Sequence, residues 1–178
     1  GGLGFLLYRS LLGRSPEAAV AGACAFSFSG YVLSSTAFLN AATTVAWIPW
    51  LLAAVATARR EGRRPLQLGL LGAAASGALL VHAGAPAPGL LGILLALAFA
   101  LAGPRGTRLL AAGALLAGGL VAALAASPYL LEVLRATEAS SRRLRGFSWT
   151  EFSAVGFHPL RLLETPFPFI FGDPSRVL

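Results

Sequence analysis

Apolar runs long enough to cross a bilayer follow one another along this chain, and the turns between them alternate between arginine-rich and arginine-free. The runs cover residues 1–12, 16–36, 41–58, 65–82, 86–102 and 109–126. The first turn holds Arg9 and Arg14, and the next, around 36–40, holds no charge. Then come Arg59, Arg60, Arg63 and Arg64; the turn 82–88 has neither arginine nor acid; the last has Arg105 and Arg108. Positive charge retained on one side at every second crossing is the signature of a polytopic membrane protein. It predicts that the turns 9–14, 59–64 and 103–108 face the cytoplasm. The Asn40 turn, the His82 turn and residues 127–178 then face mainly outside.

Run length supports the same fold class. About 20 helical residues cross the hydrocarbon core, and every run except the first has 17–21 residues. Only 12% of residues are charged, against about 25% in soluble domains. The expectation is an all-α transmembrane helix bundle over 1–126, with five complete spans and a truncated first one. Shorter interfacial helices and aromatic-rich loops are expected over 127–178. The short first run and the absence of Met suggest an internal piece of a longer protein.

A net charge of +7 raises the question of nucleic acid. All fourteen basic residues are Arg, and eight of them lie in the three predicted inner turns. There they set topology and meet anionic headgroups. No basic face is left to track phosphates, so nucleic acid is excluded as a partner and membrane lipid is expected. The single Cys24 gives no disulfide and no metal pair; it reads as a small buried hydrophobe. His82 and His158 have no second ligand nearby, so neither a metal nor a cofactor is expected.

Small residues mark candidate packing faces. Gly69, Ala73 and Gly77 fall at i, i+4, i+8, and Gly113 and Ala117 repeat the spacing. Such stripes let helix backbones approach where lipid supplies no hydrophobic drive. Pro49, between Trp47 and Trp50, suggests a kink, beside a cavity or purely structural. Ser127-Pro128 reads as an N-cap followed by proline at the first helical position.

The best chemical candidate follows that start. Glu132–Arg135 and Glu138–Arg142 are i,i+3 and i,i+4 pairs, with Arg143 beside them. Arginine forks match phosphate oxygens, and a carboxylate at a membrane surface suits general-base work. Arg135, Arg142 and Arg143 are therefore candidate substrate contacts, with Glu132 and Glu138 as weak candidate acids. The plain alternative is a solvated helix whose charges pair with each other. Asn40 and His82, in the two arginine-free turns, are further candidate substrate contacts; the plainer reading of His82 is an interfacial residue at the outer surface.

The order of several landmarks resembles YfhO-type bacterial membrane proteins. They are Phe28 to Ser34, Phe38-Leu39-Asn40, Ala46 to Leu52 around Pro49, Ser127-Pro128 with Glu132, Ser140-Ser141-Arg142, His158 to Leu163 and Pro168 to Asp173. The resemblance runs from about Leu3 to Asp173. It implies a multi-spanning glycosyltransferase of the C-type superfamily in the bacterial cytoplasmic membrane, acting in the cell envelope. Such enzymes take a sugar from a polyprenyl-phosphate donor on the outer face. Their essential acid usually sits in the first external loop, which would precede residue 1, so the resemblance leaves the catalytic residue unassigned. A transporter or flippase, or a non-catalytic assembly subunit, are the competing classes. The cores of the runs hold no Asp, Glu, Arg or Lys, which weighs against an ion-coupled carrier.

Overall fold

A computed structural model describes residues 15–29, 32–33 and 38–138. The described residues form six helices and no strand: α1 (Pro16–Ser27), α2 (Leu39–Ala58), α3 (Arg63–His82), α4 (Pro86–Leu101), α5 (Arg108–Ala125) and α6 (Ser127–Glu138). The expected all-α architecture is thus observed. Three helices, α2, α3 and α5, are long and apolar enough to cross a membrane. The helix α4 is apolar but has 16 residues, about 24 Å at 1.5 Å per residue.

The expected span over 16–36 is not one continuous helix. Ser15 caps α1, its Oγ accepting from the amide of Ala18 at 3.3 Å, and Pro16 opens the first turn. After twelve residues the helix closes at Phe28, whose amide donates to the Cys24 carbonyl. Ser29 Oγ donates to the Phe26 carbonyl at 2.9 Å and accepts from the Val32 amide at 3.3 Å. A serine that satisfies the end of one helical segment and the start of another competes with continuous helix. Cys24 is exposed, not buried as expected. The first apolar run, 1–12, lies outside the described residues.

Short turns over 59–62, 83–85 and 102–107 make α2 to α5 alternate in direction. The non-sequential pairs α2/α4 and α3/α5 are therefore parallel. Gly118 of α5 lies against Ala73 of α3, and Ala122 lies against Gly77. The constant offset of 45 residues shows the two helices tracking each other. In the other parallel pair, Gly92 of α4 lies against Ile48 of α2.

Glycine allows the closest approaches. A Cβ at Gly69 would sit 2.6 Å from Ala58 Cβ and 2.8 Å from the Ala54 carbonyl oxygen. One at Gly118 would meet Ala73 Cβ at 2.7 Å and the Leu70 oxygen at 2.9 Å. The expected stripe on α3 is therefore a packing stripe that serves two neighbours, α2 through Gly69 and α5 through Ala73 and Gly77. The expected stripe on α5 is not: Gly113 and Ala117 are exposed, and a Cβ at Gly113 would meet nothing within 4 Å. That helix instead buries Ala111, Ala114, Leu115, Gly118 and Ala122.

The core gathers toward the arginine-bearing end. Leu51, Val55 and Ala58 of α2 meet Ala96 and Ala100 of α4 and Ala111 and Leu115 of α5. At that end the Arg59 guanidinium lies 3.9 Å above the Phe99 ring and passes against Gly103, where a Cβ would be 2.7 Å from Nε. Buried hydroxyls bond within their own helices: Thr44 Oγ1 to the Asn40 carbonyl at 2.8 Å, Ser76 Oγ to that of Gly72 at 2.6 Å. Such bonds satisfy polar groups that lipid cannot. The helix α2 is continuous through the buried Pro49. Large side chains such as Leu90, Leu94, Leu116, Leu120 and Leu124 face outward, the inverse of a water-soluble bundle and the surface that hydrocarbon requires.

Candidate functional site at the arginine-free end

Four residues from three elements meet at the end of the bundle remote from Arg59. Asn40, in the first turn of α2, accepts from the Ala41 amide through Oδ1 at 2.9 Å and donates through Nδ2 to the Gly84 carbonyl at 3.4 Å. Gly84 has φ +77, a left-handed conformation that glycine adopts without steric cost. The turn it makes after α3 brings its carbonyl to Asn40. A Cβ on Gly84 would lie 3.1 Å from the hydroxyl of Tyr129, so the phenol comes close to this turn.

Tyr129 comes from α6. Its ring stacks on His82, the last residue of α3, with centroids 5.1 Å apart and planes at 25°. His82 Nδ1 donates to the Ala78 carbonyl at 2.8 Å. A carbonyl only accepts, so that bond places a proton on Nδ1 and turns Nε2 away from it. The exposed Asn40 and His82 and the half-buried Tyr129 thus present an amide, an imidazole and a phenol together.

The α5–α6 junction sets this geometry. A single residue, the fully buried Ala126, separates the two helices. Its carbonyl accepts from the Leu130 amide at 2.9 Å. Ser127 does not cap α6 as expected: its Oγ donates back to the Leu124 carbonyl at 2.8 Å, so it closes α5 instead. The short link carries Tyr129 directly onto the end of α3.

Sequence reading named Asn40 and His82 separately; the fold brings them to one turn. It missed Tyr129, whose only sequence signal was its place just after Ser127-Pro128, beside a predicted arginine-free end. Of the charged stripe, Glu132 and Arg135 form an ion pair at 2.9 Å with side chains 71% and 73% exposed. A pair so solvated contributes at most about 1 kcal/mol. Glu138 ends the described part of α6. Arg142, Arg143, His158 and the aromatic segment after Gly146 lie outside the described residues. Among the described residues no three His, Cys, Asp or Glu side chains come together.

A separate groove of about 440 Å³ runs between α2 and α3, lined by Trp47, Trp50, Thr57, Leu68, Gly72 and Ser76 among others. No ionisable group lines it, and the Thr57 and Ser76 hydroxyls are spent on their own helices. It can hold hydrocarbon and has no group for chemistry.

Compared with known proteins, the chain matches no family model, no curated protein and no solved structure.

Proposed function

We propose that this chain forms part of an integral membrane glycosyltransferase that takes a sugar from a polyprenyl-phosphate donor at the outer face of the bacterial cytoplasmic membrane. The observation that carries the reading is the cluster of Asn40, His82 and Tyr129 at the end of the bundle away from the arginine-bearing turns. An amide and an imidazole beside an aromatic face suit the hydroxyls and apolar face of a sugar ring. The resemblance to YfhO-type proteins supports the same substrate class.

In the reaction, an acceptor hydroxyl attacks the anomeric carbon while the bond from that carbon to the phosphate oxygen breaks. The phosphate leaves with the bonding electrons, and a carboxylate takes the hydroxyl proton. The cluster described here orients the sugar. Arg135, with Arg142 and Arg143, is the proposed source of charge-assisted bonds to the departing phosphate. The proton acceptor is not assigned.

The test is donor binding in lipid nanodiscs. A panel of polyprenyl-phosphate hexoses is compared with bare polyprenyl phosphate. At least one hexose-bearing lipid should bind more tightly than the bare lipid. His82→Ala should remove about tenfold of that difference, the worth of one hydrogen bond and its stacking partner. If sugar-bearing and bare lipids bind alike across the panel, the reading fails.

A further inference from the structure

We propose that the opposite end of the bundle holds a binding site for the headgroup of an anionic phospholipid, seated across the first turns of α3 and α5. This inference is independent of the sugar-transfer reading.

It starts from the register of the parallel pair. The 45-residue offset that sets Ala73 against Gly118 and Gly77 against Ala122 puts Arg63 level with Arg108. Each opens its helix. Arg63 lies seven residues before Leu70, whose carbonyl faces Gly118, and Arg108 lies seven before the buried Leu115. Seven residues are close to two turns, so Arg63 continues the line along which α3 touches α5. Arg108 opens α5 at the same level, and both arginines are exposed.

The charge around them is one-sided. The two turns at this end and the helix starts that follow them carry Arg59, Arg60, Arg63, Arg64, Arg105 and Arg108 against one acid, Glu61. The first turns of the two helices hold no acid: α3 begins Arg-Arg-Pro and α5 begins Arg-Leu-Leu. Two guanidinium forks at the mouth of a helix pair match the oxygens of a phosphodiester.

The surface just beyond decides between a lipid and a free phosphate. Leu109 and Leu110 follow Arg108 directly and are 72% and 55% exposed. Leu116, seven residues after Leu109, continues the exposed apolar surface toward the middle of α5. A ligand with an anionic head and hydrocarbon tails satisfies both parts at once. A soluble phosphate satisfies only the first.

The experiment uses the whole chain in neutral detergent, with lipid binding read by native mass spectrometry. The probes are phosphatidylglycerol, phosphatidylcholine with the same acyl chains, and soluble glycerophosphate. Phosphatidylglycerol should bind at least tenfold more tightly than phosphatidylcholine, and millimolar glycerophosphate should not displace it. Each arginine near an anionic headgroup is worth about fivefold in affinity. The double variant Arg63→Gln/Arg108→Gln should therefore bind phosphatidylglycerol roughly 30-fold more weakly, with phosphatidylcholine unchanged. Four arginines remain at that end to hold topology, and Arg63→Lys/Arg108→Lys should recover most of the affinity. Equal binding of the two lipids by the wild-type chain overturns the proposal, whatever the variants do. So does displacement by glycerophosphate, or wild-type affinity in the double Gln variant.

Discussion

Two glycines five residues apart on α5 should respond to alanine with opposite signs. At Gly118 an added Cβ would meet Ala73 Cβ at 2.7 Å, the Leu70 oxygen at 2.9 Å and the Ala74 nitrogen at 3.0 Å. Two of these three are backbone atoms, which cannot rotate aside. Relief requires α3 and α5 to part by most of an ångström, since carbon atoms rest about 3.5–4.0 Å apart. Overpacking of this kind costs about 1–3 kcal/mol. Alanine returns up to about 1 kcal/mol through its better helix propensity, so Gly118→Ala should destabilise by about 1 kcal/mol net. At Gly113 nothing lies within 4 Å of the new methyl. Only the propensity gain remains, and Gly113→Ala should stabilise by about 0.5–1 kcal/mol. The assay is reversible unfolding in mixed micelles, followed by tryptophan fluorescence, because Trp47 and Trp50 line the α2–α3 groove and report separation of the helices. If Gly118→Ala is as stable as Gly113→Ala, the close α3–α5 approach is wrong.

Two further substitutions probe the two ends of the bundle. Gly84→Ala forces an L side chain to φ +77 and brings a methyl to 3.1 Å from the Tyr129 hydroxyl; it should cost about 1–2 kcal/mol in the same unfolding assay and speed amide exchange in α6. Arg59→Ala removes the guanidinium that lies over Phe99 and fills the space beside Gly103. A partly desolvated cation–π contact is worth about 1–2 kcal/mol, so the free energy of unfolding should fall by that amount, and Arg59→Lys should recover only part of it because a point charge does not stack.

What could be read from the residues alone was the part governed by periodicity and charge. The runs ending at Ala58, His82 and near Ala125 became helices, and their arginines collected at one end because alternating short turns leave no other arrangement. Asn40 and His82 were visible as polar residues in arginine-free turns. The faces of α5 were not legible. Ala111, Ala112, Gly113, Ala114, Ala117, Gly118 and Ala122 put small residues on nearly every side, so the partner selects the stripe and spacing does not. The end of α1 was hidden because Phe28 and Ser29 sit inside an unbroken apolar run, where a single hydroxyl shared between segments decides continuity. Tyr129 was missed for a similar reason. Its stack on His82 depends on a left-handed Gly84 and a one-residue link at Ala126, neither of which has a pattern in sequence.

The closeness of α2 and α3 bears on how the chain enters its membrane. Of the three helices able to span, α3 is the least apolar. It begins with two arginines and carries Gln67 and Ser76. Only four residues separate it from α2, and Gly69 meets Ala58 at the very start of the shared surface. The most apolar of the three, α5, emerges from the ribosome later. The short link and the close approach give α3 a partner in α2 before α5 is made, an arrangement suited to entry of the two as a hairpin. On that route the glycine that closes the gap between them would matter before the bundle it stabilises exists.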